Sequence, residues 1–206
     1  PLEKPLRFIV TDIYAEGKGV IARGRVVQGF LEVGERVVVL PIGDTAVVHK
    51  LEHLQPPSDD LKRGAVGMAG ETVDLVRTGI DIMRISVGNV LANPNSGAKI
   101  SRKARAKLLV MDQLEVPIIR GAQVLFHMHS LDVPAVLNNL LALTKHDGST
   151  KKGRPRALIG GASAIVELTL SDKIVMEAYS DCRALGRFVI RRSGDKIAIG
   201  LIDEVF

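Results

Sequence analysis

The chain has 206 residues and a net charge of +5; 46% of its residues are hydrophobic, only 3% are aromatic, and it has one cysteine and no tryptophan. No apolar run reaches the roughly 18 residues that a membrane-spanning helix needs, no basic and apolar leader marks secretion, and one cysteine cannot form an internal disulfide. We therefore expect a cytoplasmic protein with no membrane partner and no aromatic platform for single-stranded nucleic acid.

The charge is unevenly distributed along the chain. Residues 1–98 carry 11 Lys and Arg against 12 Asp and Glu, whereas residues 99–206 carry 17 against 11. We expect a polyanion or an acidic partner to bind the second half rather than the first. A soluble basic surface with no particular partner is the alternative.

The first half predicts short antiparallel strands. Residues 6–14 alternate polar and apolar side chains, residues 17–19 provide turn chemistry, and residues 20–27 return as a second strand. Further strands are predicted over residues 36–40, 45–54 and 71–77, with a surface loop over 55–64 and one helical turn over 79–85. Short strands, Gly-rich turns and no long helical period predict an all-β fold.

The strongest chain breaker is the segment 93–97, Asn-Pro-Asn-Ser-Gly, and we place the domain boundary there. The predicted domains are residues 1–94 and 98–206, and each is expected to be a small β-barrel. Strands in the second half are predicted over residues 99–111, 124–129, 134–144, 163–170 and 174–177. Asn138 and Asn139 also fit a helix face, but the flanking strands favour a strand.

No catalytic centre is visible. The chain lacks the Gly-x-x-x-x-Gly-Lys-Ser/Thr phosphate loop, so we expect it to neither bind nor hydrolyse GTP, and we assign it no cofactor. Gly17 and Gly19 are interpreted as a hairpin turn rather than a phosphate loop.

His127 and His129 have a spacing compatible with zinc on one face of a strand, but no third ligand is evident. Hydrogen-bonded strand histidines are the preferred interpretation, and no metal site is assigned.

The last part of the chain predicts a β-hairpin. Phe188 and Ile190 share one side of its first strand, while Arg187, Val189 and Arg191 share the other. A turn follows, and a second strand closes the barrel.

A polar loop earlier in the second half contains four cations that could bind phosphate groups or simply be solvated: Lys151, Lys152, Arg154 and Arg156.

This hairpin resembles the final hairpin of the elongation-factor-Tu superfamily of translational GTPases, through its Gly-Arg-Phe start at Gly186 and its Ile-Ala-x-Gly second strand at Ile197. Motifs of the first half are similar to the start of domain two in that superfamily: Lys4-Pro5-Leu6-Arg7-Phe8-x-Val10-x-Asp12, Gly17-x-Gly19, Gly24-Arg25-Val26-x-x-Gly29 and Gly34-x-x-Val37. In the second half, His127-x-His129-Ser130 and the basic loop are similar to domain three. The resemblance implies β-barrel domains two and three, with a GTP-binding domain, holding GTP and magnesium, that would precede Pro1.

Within the superfamily, the segments 78–88 and 130–136 resemble the Hbs-type ribosome-rescue factors that partner Pelota. The class-II release factor is the second alternative, because Gly186, Arg187, Phe188 and Arg191 match its motif while Val189, Ile190 and Arg192 depart from it. Elongation factor one-alpha is the third. A standalone β-barrel binding module is the alternative of another class.

The favoured resemblance implies a non-catalytic arm that delivers a tRNA-mimicking, Pelota-type partner to stalled ribosomes in mRNA surveillance. The residues implied in partner binding are Gly186, Arg187, Phe188, Arg191 and Arg192, with Gly186 allowing close approach of the partner's backbone. Those implied in contact with ribosomal RNA are Lys18, Arg23 and Arg25.

Overall fold

A computed structural model describes residues 3–16, 19–54, 66–70, 72–77 and 85–206, and every regular element within these ranges is a β-strand. The all-β class is therefore confirmed. The chain divides into two compact units, residues 1–98 and 99–206. The predicted loop at 55–64 and all but the last residue of the predicted helical turn at 79–85 lie outside the described residues.

The first unit contains nine described strands, most of which form one antiparallel sheet in the order β5-β4-β9-β1-β2-β8-β6. Strands β3 and β7 pair separately. The strands are β1 (Arg7–Glu16), β2 (Gly19–Gln28), β3 (Phe30–Glu32), β4 (Arg36–Leu40), β5 (Asp44–Val47), β6 (Lys50–His53), β7 (Val66–Met68), β8 (Thr72–Arg77) and β9 (Val90–Ala92).

The single strand predicted over residues 45–54 is wrong, because β5 and β6 are separate strands. Val48 lies between them, and its backbone N–H and C=O bond to Glu35 and Gly34 instead of continuing the ladder. Alternation on β1 places Phe8 and Val10 in the core of this unit. The Phe8 ring packs against the bare backbone of Gly24 on β2, where a Cβ atom would collide with it.

The breaker segment 93–97 is bound to the first unit. Asn93 accepts a hydrogen bond from the Leu6 N–H at 2.8 Å and donates one to Glu35 at 2.7 Å. Arg7 is fully buried and donates to the hydroxyl and the carbonyl of Ser96 at 3.0 and 3.1 Å. A buried guanidinium needs such acceptors, so these contacts fix the path of the chain after β9.

The second unit is a closed six-stranded barrel in the order β10-β15-β13-β12-β16-β17, with β11 and β14 paired beside it. The strands are β10 (Ile100–Val110), β11 (Ile118–Ile119), β12 (Ala122–Met128), β13 (Leu131–Leu143), β14 (Ala157–Leu158), β15 (Ser163–Val175), β16 (Arg187–Arg192) and β17 (Asp195–Val205). Closure leaves the barrel with no free edge strand.

The strand predicted over residues 134–144 is confirmed up to residue 143, where β13 ends, and the two asparagines lie inside it. The register of β13 against β15 shifts between Leu137 and Asn139, which accommodates Asn138 as an irregularity. Asn139 donates a hydrogen bond to Glu167 at 3.0 Å. The local conflict in the sequence therefore marks a bulge rather than a helix.

The barrel core contains a pair of stacked rings. Phe126 on β12 and Phe188 on β16 lie with their centroids 4.6 Å apart and their planes 26° apart. Phe188 also faces Gly200 on β17, where any Cβ atom would collide with its ring. Ile190 is fully buried on the same side of β16. The inward face predicted for Phe188 and Ile190 is confirmed.

Candidate partner-binding face

The outward face of β16 carries the side chains that the core does not use. Arg187 is exposed and Val189 is half-buried, since they alternate with the buried Phe188 and Ile190. β16 pairs with β17 on one side and with β12 on the other. Residues from these three strands therefore adjoin one another outside the barrel.

An apolar groove of about 630 Å³ lies over this face. Its apolar lining includes side chains that are 38–43% exposed: Leu109, Ile199 and Leu201. The polar residues around it are Lys107, His127, His129, Thr144, Ser163 and Arg187. Adjacent exposed apolar side chains with a polar rim are typical of a protein interaction surface.

A second cavity, of about 620 Å³, adjoins the groove and has a more polar lining. It is formed by Arg191 and Arg192 from β16, by the turn that follows them, and by Gln123 and Asp132. His127 lines both cavities. The structure thus places Arg187 and Arg191 on one outer face but in two neighbouring cavities.

The two arginines of the second cavity differ in their contacts. The buried Nε of Arg191 has no hydrogen-bond partner among the described residues. Arg192 donates from Nη2 to the carbonyl oxygen of Val116. A buried guanidinium N–H without an acceptor is costly. Because this Nε is buried, a molecule in the second cavity would meet the Arg191 guanidinium through its Nη groups.

The two histidines are in different environments. Nδ1 of His127 lies 2.6 Å from a carboxylate oxygen of Asp132, so His127 is a hydrogen-bonded strand residue as predicted. His129 lies beyond the end of β12 with a φ of 44°, so the prediction that both imidazoles lie on a strand is wrong. The strand ends because β12 turns into β13 there. Burial, and then the nearby His127, lower the pKa of His129 to about 4.

Gly186 is buried and serves the packing of this unit itself. A Cβ atom there would lie 2.5 Å from the backbone N and Cα of Tyr179 and 2.8 Å from the carbonyl oxygen of Glu177. Its own carbonyl oxygen accepts a hydrogen bond from Ile202 at 2.7 Å. The close approach expected from a partner's backbone is therefore made by the chain's own backbone.

In the first unit, the cations proposed to meet RNA are in unlike environments. Arg23 donates two hydrogen bonds to Asp74, at 2.9 and 3.0 Å, and Tyr14 donates a third to the same carboxylate at 2.6 Å. The Arg23 hydrogen bond lowers the pKa of Asp74, whereas the bond to Asp74 raises the pKa of Tyr14. Arg25 is exposed, and Lys18 lies outside the described residues.

The basic loop of the second unit is exposed at all four cations: Lys151, Lys152, Arg154 and Arg156. Arg120, which the sequence patterns did not single out, lies with Arg154 and Arg156 around a further cavity. Asp74 was not predicted either. It lies beside Arg23 because β2 pairs with β8, and Arg120 lies near Arg156 because β11 pairs with β14, and both pairings join strands distant in sequence.

Within the described part of the chain, no cluster of three or more His, Cys, Asp and Glu side chains is arranged to hold a metal ion. In the same part, no helix has the length and apolar character needed to cross a membrane. The candidate site is the outward face of β16, where arginine side chains adjoin an apolar groove.

The described residues form two all-β units, and the second unit carries this candidate face. Residues 103–203 match the family described as "GTP-eEF1A C-terminal domain-like". The chain is 32% identical over 206 residues to Protein HBS1 of Drosophila melanogaster, covering 99% of this chain and 30% of that protein. It is 32% identical over 214 residues to elongation factor 1-alpha of Pyrobaculum aerophilum, covering 100% of this chain and 45% of that protein.

The fold agrees with a solved structure of similar architecture. A crystal structure of Sup35 complexed with GDP superimposes with a TM-score of 0.88 at 21% identity, covering 100% of this chain and 48% of that one. The second unit therefore resembles the GTP-eEF1A C-terminal domain-like family, and the resemblance of the whole chain to translational GTPases is confirmed. The chain spans less than half the length of these relatives.

Proposed function

We propose that this chain is the non-catalytic arm of a translational GTPase that delivers a tRNA-mimicking, Pelota-type partner to stalled ribosomes in mRNA surveillance. The likeness to Protein HBS1 over 99% of the chain supports this particular branch. The observation that carries the proposal is the outward face of β16, where an apolar groove and an arginine-lined cavity adjoin.

The chemistry of this face fits a partner protein with apolar and acidic side chains. The groove offers apolar area from Leu109, Ile199 and Leu201 to exclude water. Arg187 at the groove and Arg191 in the neighbouring cavity offer planar, multiply donating groups for carboxylate or carbonyl oxygens. Phe188 and Gly186 contribute from within, by holding β16 in place.

Two further partners complete the proposal. The GTP-binding domain of the same protein would hold GTP and magnesium, and the ribosome would meet the first unit through its cations. The exposed Arg25 is a stronger candidate for that contact than Arg23, because Arg23 is already neutralised by Asp74, and Lys18 stays a candidate from the sequence. Contacts that neutralise phosphates are individually weak and sensitive to salt.

The test measures Pelota binding by calorimetry for the wild-type chain and for Arg187→Ala and Arg191→Ala. Truncating an anchoring arginine at a desolvated interface costs about 2 kcal/mol or more, which is roughly thirtyfold in affinity. Arg102→Ala is the matched control, since Arg102 is exposed in the same unit and lines neither cavity. Wild-type affinity in both folded variants would remove the proposed face.

The relatives named elongation factor 1-alpha support an alternative, in which the arm belongs to an elongation factor. The class-II release factor is a further alternative, and its partner would replace Pelota in the same assay. Aminoacyl-tRNA in place of Pelota separates the elongation factor from both. Binding of none of these ligands would favour a standalone β-barrel module.

A further inference from the structure

The turn between β12 and β13 has an unusual backbone. The two strands pair Met128 with Leu131, so the turn consists of only two residues, His129 and Ser130. Of these two, only His129 has a positive φ, at 44°. This is the pattern of a type II′ turn, in which the usual first residue is glycine because it has no Cβ atom. A histidine at this position therefore strains the backbone.

The turn between β16 and β17 is built in the ordinary way. Arg192 pairs with Asp195, and the two turn residues, Ser193 and Gly194, have φ angles of 52° and 82°. Positive φ at both positions with glycine at the second is the type I′ pattern, which suits the twist of a hairpin. A two-residue turn in this barrel thus does not require the strain at His129, and glycine there would relieve it.

The imidazole of His129 also has an unsatisfied nitrogen. Nε2 is buried and has no hydrogen-bond partner among the described residues, whereas Nδ1 lies 3.3 Å from the hydroxyl oxygen of Ser130. In one tautomer Nε2 is an N–H without an acceptor, and in the other it is a lone pair without a donor; both cost free energy when buried. Backbone strain and an unsatisfied buried polar atom occur here in one residue, and each is a feature that concentrates at functional sites.

His129 lines the apolar groove over β16, whose volume of about 630 Å³ has room for an imidazole ring. The other titratable side chains around the groove come from three strands: Lys107 of β10, His127 of β12 and Arg187 of β16. Asp132 on β13 is bound to His127, and Asp203 on β17 lies 3.9 Å from Lys107. None of the described residues that line the groove is a carboxylate, so an anionic acceptor for His129 has to come from a partner.

We propose that His129 is a partner-contact residue, whose imidazole turns from its inward position into the groove and donates from Nε2 to a carboxylate of the bound partner. This inference rests on the proposed function of the groove. Turning is necessary because Nε2 is buried in the inward position, and it is favourable because it gives Nε2 the acceptor it lacks. A partner without a carboxylate at this point gains nothing from His129, so the residue contributes to specificity.

The turned and inward positions differ in their protonation. Burial holds the pKa of the inward imidazole at about 4, so it is neutral at pH 7. An imidazole that leaves this position and pairs with a carboxylate has a pKa of about 6.5 or above. Binding then takes up a proton between these two pKa values, so affinity rises as the pH falls through this range. Between pH 7 and pH 5.5 the rise is about eightfold for a pKa of 6.5 in the complex. An imidazole that stays inward gives no such rise.

The experiment measures the affinity of Pelota by calorimetry at pH 7 and pH 5.5 for the wild type, His129→Asn and His129→Gly. Asparagine and glycine both tolerate a positive φ and do not titrate, so the turn is kept. At pH 7 each variant should bind about tenfold more weakly, the effect of losing one hydrogen bond to a charged group. The rise in affinity at pH 5.5 should be about eightfold larger in the wild type than in either variant.

The matched control is His146→Asn, since His146 is exposed and does not line the groove. It should keep the affinity and the pH dependence of the wild type. Thermal melting at both pH values establishes that each protein is folded. Other titrating groups of this chain and of Pelota are common to all the proteins, so the difference in pH dependence isolates His129. The same pH dependence in the wild type and both His129 variants would overturn the inference, whatever their affinity at pH 7.

Arg187→Ala separates this inference from the proposed function. If Arg187→Ala weakens Pelota binding while the His129 variants keep the wild-type pH dependence, only the role of His129 is wrong. If the wild type does not bind Pelota, or Arg187→Ala and Arg191→Ala both bind it as the wild type does, the proposed face is wrong and this inference fails with it.

Discussion

Acidification should destabilise the second unit through His129. The imidazole is largely buried, its Nε2 has no hydrogen-bond partner among the described residues, and burial with the nearby His127 lowers its pKa to about 4. A histidine in the unfolded chain titrates near pH 6.5. Between these two values the unfolded state therefore binds a proton that the folded state does not.

The free energy of unfolding should fall as the pH is lowered from about 6.5 to about 4, because the unfolded state binds more protons, and the loss is complete below that. A separation from pKa 6.5 to about 4, at 1.36 kcal/mol for each pH unit, gives a loss of at most about 3 kcal/mol. Above pH 6.5 His129 contributes no pH dependence.

The assay is urea unfolding of the wild type and of His129→Asn at pH 7 and at pH 4. Asparagine tolerates the positive φ of this position and does not titrate. Carboxylates titrate in both proteins, so their effect cancels in the difference between them. The wild type should lose more stability than the variant, whereas His146→Asn, at an exposed histidine, should behave like the wild type. Equal losses in the wild type and His129→Asn would refute the reasoning.

Three other predictions concern packing, electrostatics and domain structure. Gly186→Ala should destabilise the protein by about 1–3 kcal/mol, seen as a lower Tm, because its methyl group would meet the backbone of Tyr179; an unchanged Tm would contradict this. Asp74→Asn should lower the pKa of Tyr14 towards its ordinary value in an ultraviolet titration, since the hydrogen bond from Tyr14 to the carboxylate raises it; a constant pKa would exclude that cause. Residues 98–206, expressed alone, should unfold in one cooperative transition, and a broad non-cooperative melt would reject the predicted domain.

The elements that the sequence predicted well are those decided by local period. Alternation over β16 is enough to place Phe188 and Ile190 inside, because successive side chains of a strand point to opposite faces. The same reasoning predicted β1, β2, β4 and β13. The strand over 45–54 was predicted wrongly because Val48 bonds to a turn that only the folded chain brings near.

The contacts that define the charged sites could not be predicted in this way. Arg23 meets Asp74 because β2 pairs with β8 in one register, and Arg120 and Arg156 line the same cavity because β11 pairs with β14. No local pattern encodes which strands are neighbours or at what register they pair. Exposed cations could therefore be identified from the sequence, but not which of them were already neutralised.

The Gly-Arg-Phe motif at residues 186–188 combines two roles, packing into the core and presenting a side chain on the outward face. Neighbouring side chains of a strand lie on opposite faces, so Phe188 joins the core while Arg187 lies outside. Gly186 and Gly200 remove the side chains that would obstruct the chain's own backbone and the Phe188 ring. The motif thus fixes β16 from within, and that rigidity is what presents the outward arginines at defined positions. A partner would recognise the alternate residues only, while the others keep the strand in the register that makes the face.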